Sequence, residues 1–202
     1  MLGKFIECEA DRNGKYYRVI QTEKEYIDRK RFPINEVVEC DTKVDVNAIE
    51  IDKVGGFCIS TYDFVFRWLI RGDTLCEVII PEDTKIYKSV SNNGIYKSDK
   101  MILRNPRKID DDFAYELYKA SNLPEKSYFR AMAACAICGY EKTAIKVFED
   151  KVTKENINIA INEFEEFCKR REEETLAENV FELETVKNIK NKFINGKIKL
   201  PV

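Results

Sequence analysis

Residues 54–109 read VGGFCISTYDFVFRWLIRGDTLCEVIIPEDTKIYKSVSNNGIYKSDKMILRNPRKI, and this stretch decides the fold. Gly55 and Gly56 suit a tight entry or a close backbone contact, because glycine reaches backbone angles closed to other residues. A short apolar strand, Phe57–Ile59, follows them. Ser60 or Thr61 can cap the helix that comes next, with Asp63 in its first turn. Phe64, Val65, Trp68 and Leu69 recur at helical spacing, and Gly72 stands where a left-handed C-terminal cap belongs. Leu75–Ile80 reads as a buried strand stopped by Pro81, with a polar turn at Glu82-Asp83. Thr84–Lys88 and Ile95–Leu103 read as two further strands, joined by a turn at Ser91-Asn92-Asn93-Gly94 and closed by Asn105-Pro106. The alternation at Ser98-Asp99-Lys100 sets Asp99 on the face opposite its two neighbours.

Outward from this unit, Leu2–Glu9 and Lys15–Gln21 read as strands about a turn at Asp11-Arg12-Asn13-Gly14, and so as a hairpin. Arg18 lies in the middle of the second strand. It reads either as a solvent-facing or ion-paired strand residue, or as an anchor for an anionic ligand, since a guanidinium forks onto carboxylate or phosphate. Thr22–Arg31 is a charged helix or excursion that Phe32-Pro33-Ile34 breaks. Glu36–Asp52 reads as strand fragments.

After Pro106 the periodicity becomes helical. Asp110-Asp111-Asp112 reads as a helix start, where carboxylates meet the positive end of the helix dipole. Three consecutive aspartates on a helix do not converge on a metal ion. Phe113, Ala114, Leu117 and Tyr118 continue that helix until Asn122-Leu123-Pro124 ends it, and further helices are predicted at Glu125–Cys138 with Gly139 closing it, at Glu141–Val152, at Asn156–Glu174 and at Leu176–Phe193. The fold class is therefore α+β. A small mixed sheet occupies residues 1–109 and a helical bundle with a lysine-rich tail occupies 110–202. No repeat period of a solenoid is present.

Composition narrows the chemistry. The chain has 202 residues, 35% of them charged, with a net charge of −2. A globally basic nucleic-acid binder would look different, although the tail KNIKNKFINGKIKLPV could touch nucleic acid. No apolar run approaches a membrane span, and the N-terminus has no signal-peptide core, so an intracellular, cytoplasmic protein is the expectation. There are seven cysteines and no histidine. Histidine-based nucleophile systems and histidine-bearing zinc sites are thereby excluded. Cys135-Ala136-Ile137-Cys138 has no second thiolate pair and ends a helix, so buried, reduced packing is its reading. No metal site is predicted.

The order strand, proline turn, strand, then a strand ending in an apolar triplet resembles the core of ADP-ribosyltransferase folds. The resemblance to that family's arginine–serine–glutamate branch covers about residues 55–109, with Arg18 in YYRVI as the arginine and Ser60-Thr61-Tyr62 in FCISTY as the serine motif. Its Glu-x-Glu position aligns with Ser98-Asp99-Lys100, so both glutamates are missing. GGFCIST, VIIPEDTKIY and YKSDKMIL also resemble a domain attached to ankyrin-repeat proteins of giant viruses, with relatives in phage-like genomes. The absence of histidine excludes the family's histidine–tyrosine–glutamate branch. The resemblance implies a non-catalytic interaction protein, viral or phage in kind, that binds a host protein and needs no cofactor. The alternative is an NAD-dependent transferase that draws a displaced carboxylate from Glu77 or Glu82 and uses Arg18, Ser60 and Thr61. The third reading is nucleic-acid binding through the tail.

Overall fold

A computed structural model describes residues 4–11, 15–21, 32–48, 53–91, 94–175 and 179–198. The chain divides into two compact units, one made of Met1–Val65 with Arg71–Ile109, the other of Phe66–Ile70 with Asp110–Val202. Architecture is α+β. Expectations that rest on 12–14, 22–31, 49–52, 92–93, 176–178 and 199–202 lie outside the described residues: the first turn's tip, the charged excursion, the end of the Glu36–Asp52 segment, the second turn's tip, the start of the last helix and the end of the tail.

The first unit holds eight strands: β1 (Phe5–Cys8), β2 (Tyr16–Ile20), β3 (Val37–Glu39), β4 (Phe57–Ser60), β5 (Thr74–Ile79), β6 (Ile86–Ser89), β7 (Ile95–Ser98) and β8 (Lys100–Lys108). They form one sheet in the order β1-β6-β7-β4-β2-β5-β8-β3. Every pairing between these strands is antiparallel, so the sheet is not mixed, and the one parallel contact among the described residues is an isolated bridge from Ile34 to Leu103. Short connections, such as that from β6 to β7, leave no room for the crossover that parallel neighbours need.

Several expectations change. β1 and β2 do not pair as a hairpin. β1 pairs with β6, where Glu7 meets Lys85 at 2.9 Å, while β2, with Tyr16, Val19 and Ile20 buried, runs between β4 and β5. A strand so apolar belongs in the sheet's interior. The 95–103 segment is two strands, because Asp99 breaks the ladder: its carbonyl accepts the Cys40 N–H and its carboxylate the Val44 N–H, at 2.8 and 2.6 Å. Asn105-Pro106 does not end β8. Asn105 adopts φ 50° at a register shift against β5, and the strand runs on to Lys108. Of the segment from Glu36, only β3 is a strand among the described residues. Beyond it the backbone finds partners in loop contacts, Asp45 N–H on Val54 and Gly56 N–H on Thr42.

One face of the sheet carries a continuous core: Tyr16, Ile20, Val38, Phe57, Ile59, Cys76, Val78, Ile86, Met101 and Leu103. Gly55 and Gly56 lead into β4 with φ of 70° and 64°. After β4 the chain forms a 3-10 helix, Tyr62–Arg71, in which Phe64, Val65, Phe66 and Leu69 are buried. The start of this helix uses backbone, Thr61 carbonyl accepting from Phe64 N–H at 3.0 Å. Gly72 is not a left-handed cap. A β-carbon there would stand 2.0 Å from the Ile20 carbonyl oxygen, so close approach to β2 is what requires glycine.

The second unit contains α1 (Asp111–Ala120), α2 (Glu125–Ile137), α3 (Glu141–Lys151), α4 (Ile157–Thr175) and α5 (Glu184–Ile198). The single last helix expected from 176 is instead a short 3-10 turn, Val180–Glu182, followed by α5, with Leu183 extended between them. In α2, Tyr128, Phe129, Ala131, Met132, Ala133, Ala134, Cys135 and Ala136 are all buried, so the helix is apolar on every side from Ala131 to Ala136. Its end is a Schellman motif: Tyr140 N–H bonds the Cys135 carbonyl and Gly139 N–H that of Ala136. All seven cysteines are free, with Cys76, Cys135 and Cys168 buried and the other four half-buried. Burial pushes the Cys138 thiol up to about 11 and that of Cys168 to about 12.

The three aspartates go three ways. Asp110 caps α1, accepting from Phe113 N–H at 2.8 Å. Asp112 pairs with Lys142 at the surface. Asp111 reaches across to α3, whose own N-cap residue Tyr140 makes no side-chain capping bond. Its carboxylate accepts the Lys142 and Thr143 N–H groups at 2.9 and 3.0 Å and the Thr143 hydroxyl at 2.7 Å. Losing a cap costs about 0.5–2 kcal/mol. Asp111→Ala is expected to lose about 2 kcal/mol in urea denaturation, with Asp112→Ala changing the midpoint little, because its ion pair is exposed.

Candidate functional site

Arg18 sits on β2, on the same face as Tyr16 and Ile20, and directly opposite Cys76 of β5. Its side chain therefore enters the core face of the sheet. As a residue it is half-buried, yet Nε is sealed from solvent and meets no hydrogen-bond partner. Nη1 donates to the Cys58 carbonyl at 2.6 Å. The guanidinium lies over two rings, Phe32 at 5.3 Å and Phe57 at 5.6 Å, which themselves meet edge to face. Burial holds the guanidinium below its ordinary pKa, and Arg71 pushes the same way. Among the described residues no carboxylate pairs with it. Desolvation of the charge is offset by a carbonyl and by ring faces.

The other candidates stand elsewhere. Ser60 of β4 and Glu77 of β5 both pair in register with Tyr17 of β2, so all three share the face opposite Arg18. On that face Ser60 and Glu77 are two strand spacings apart, about 10 Å. Tyr17 stands between them, edge-on to Tyr62 with ring centroids 5.1 Å apart. Ser60 is buried. Glu77 accepts from Asn105 Nδ2 at 2.9 Å and lies 3.8 Å from Lys15. Thr61 is held by its backbone, its N–H donating to the Gly94 carbonyl at 2.9 Å. Glu82 is exposed in the turn after β5, where Thr84 N–H closes on the Pro81 carbonyl.

Around the aligned Glu-x-Glu position the three residues diverge. Ser98 is opposite Phe57 and Ile86 and faces the core, fully buried, with its hydroxyl donating to the Lys100 carbonyl at 2.7 Å. Met101 also faces the core, three residues on, so Asp99 absorbs one residue and shifts the alternation. Lys100 consequently faces away from Ser98, contrary to the simple alternation expected, and its ammonium pairs with Asp83 at 3.0 Å. That pairing raises the Lys100 pKa. Arg18, Ser60, Thr61, Glu77 and Glu82 thus do not converge on one point.

What the residue pattern hid is the aromatic enclosure of Arg18. Phe57 is close in pattern, since it opens β4, but Phe32 comes from a segment that only the folded chain brings over β2. Among the described residues no group of three or more cysteine, aspartate or glutamate side chains is placed to hold a metal ion. No described helix is long and apolar enough to cross a membrane. The chain matches no family model, no curated protein and no solved structure.

A core arginine with one acceptor among the described residues and a sealed Nε carries a desolvation cost that an apolar side chain of similar length avoids. Arg18→Met is expected to fold and to be at least as stable as the wild type by urea denaturation. Arg18→Glu, which puts a carboxylate against the Cys58 carbonyl and the two rings, is expected to lose about 3 kcal/mol or more.

Proposed function

We propose that the chain is a non-catalytic interaction protein on an ADP-ribosyltransferase-like sheet, a viral or phage protein whose task is to bind a host protein. The observation that carries this reading is the location of Arg18, closed against Cys58, Phe32 and Phe57 on the face opposite Ser60 and Glu77. An anchor for NAD would have to present its guanidinium to a pyrophosphate, with the serine and a carboxylate on the same side.

Charge points the same way. Transfer from NAD develops positive charge at the ribose, and a carboxylate must face it. In the resemblance that position falls to Lys100, whose charge has the wrong sign and is committed to Asp83. Glu77 is held by Asn105 and Glu82 stands in an exposed turn, so neither is positioned to replace it. Loss of such a group costs several kcal/mol of barrier, and each ~1.4 kcal/mol is tenfold in rate. The lysine-rich end gives little support to nucleic-acid binding, since Lys187 and Lys190 pair with Glu182 and Glu165.

The test is incubation of the full chain with labelled NAD and a lysate, beside the Arg18→Met variant. No label transfer and no NAD hydrolysis are expected from either. Transfer by the wild type that is lost in the variant would replace this reading with that of an NAD-dependent transferase.

A further inference from the structure

Among the described residues β3 ends the sheet and has a neighbouring strand, β8, on one side only. Natural edge strands are usually guarded by lysine, proline or a bulge. β3 has no lysine, proline or bulge; it is short, Val37-Val38-Glu39, and its one charged side chain is an acid, with Val38 in the core and its two neighbours exposed. Because Val38, Met101 and Val78 face the core, alternation puts Val37, Ile102 and Ile79 together on the other face, and they are in register across β3, β8 and β5. This apolar row opens outward, with Val37 58% and Ile79 38% exposed. A second row runs beside it. Glu39 lies opposite Lys100, and Lys100 pairs with Asp83, so charge alternates in sign up to the free edge.

We propose that this edge is a docking site for an extended segment of the protein partner, which adds a strand alongside β3. The inference rests on the reading of the chain as an interaction protein. Main-chain hydrogen bonds would hold such a strand, and its alternate side chains would be read by the two rows. The apolar row calls for an apolar residue beside Val37. The charge row calls for a lysine or arginine beside Glu39, two residues away on the same face. A second copy is a poor occupant: β3 carries no lysine or arginine to set beside Glu39.

The probe is the labelled peptide TVTKTVTK, with TVTETVTE as its charge-reversed control, each titrated into the full chain by fluorescence anisotropy. The lysine peptide is expected to bind more tightly than the glutamate peptide. Exposed Glu39→Lys is expected to weaken the lysine peptide by about tenfold or more and to strengthen the glutamate peptide. Amide hydrogen exchange at Val37–Glu39 is expected to slow when the lysine peptide is added. Equal binding of the two peptides, no response to Glu39→Lys, absence of binding, or protection elsewhere would each overturn the proposal. So would a dimer that itself protects Val37–Glu39. Label transfer from NAD, measured on the same preparation, would instead count against the interaction-protein reading, so the two failures are distinguishable.

Discussion

Side-chain alternation across an antiparallel sheet is the constraint on which the first unit depends. Successive residues of a strand point to opposite faces, so each strand has one parity that enters the core and one that does not. In β2 the core parity is that of Tyr16 and Ile20, and Arg18 shares it. The same parity rule sends Tyr17, Ser60 and Glu77 to the other side. No side-chain rotation brings Arg18 and Glu77 together through a paired sheet. The same alternation keeps Arg18 apart from Ser60 and Glu77, and at β3 it sets Val37 and Glu39 on the face opposite Val38.

The second unit is held by a different device. α2 is buried on every side from Ala131 to Ala136, where its alanines admit close neighbours that larger residues would keep apart. Polar groups at its N-terminal end and on neighbouring helices make the specific ties. Asp111 closes the start of α3 from α1. Asn156 joins Thr153, Lys151 and Glu125 through three bonds, and Glu163, itself buried, collects Arg130 and Lys126. Tyr118 donates to Asp150 at 3.0 Å, and burial raises its pKa. These bonds fix register between helices that packing alone would leave free to slide.

Local signals were legible in the residue pattern. The α+β class, the left-handed pair Gly55-Gly56, the Asp110 cap, the end of α2 at Gly139 and the closed-off Cys135 all follow from chemistry within a few residues. What could not be read there is non-local. β1 and β2 look like a hairpin because a turn joins them, but partner choice depends on β6 and β4, far along the chain. Gly72 resembles a helix cap, yet its reason is the Ile20 carbonyl. Asp99 shifts the alternation because Cys40 and Val44 donate their N–H groups to its carbonyl and carboxylate, and a break of that kind leaves little trace in a hydrophobic pattern. The candidate residues were gathered by resemblance, which carries no information about face.

The central claim is that Arg18 is part of the core and anchors no ligand. The most direct measurement is the melting temperature of the purified full chain as NAD is raised, since a ligand that binds the native state stabilises it by mass action. The account predicts no shift for the wild type at any NAD concentration, and the same flat response for Arg18→Met. A saturable rise in the wild type that Arg18→Met abolishes would contradict it.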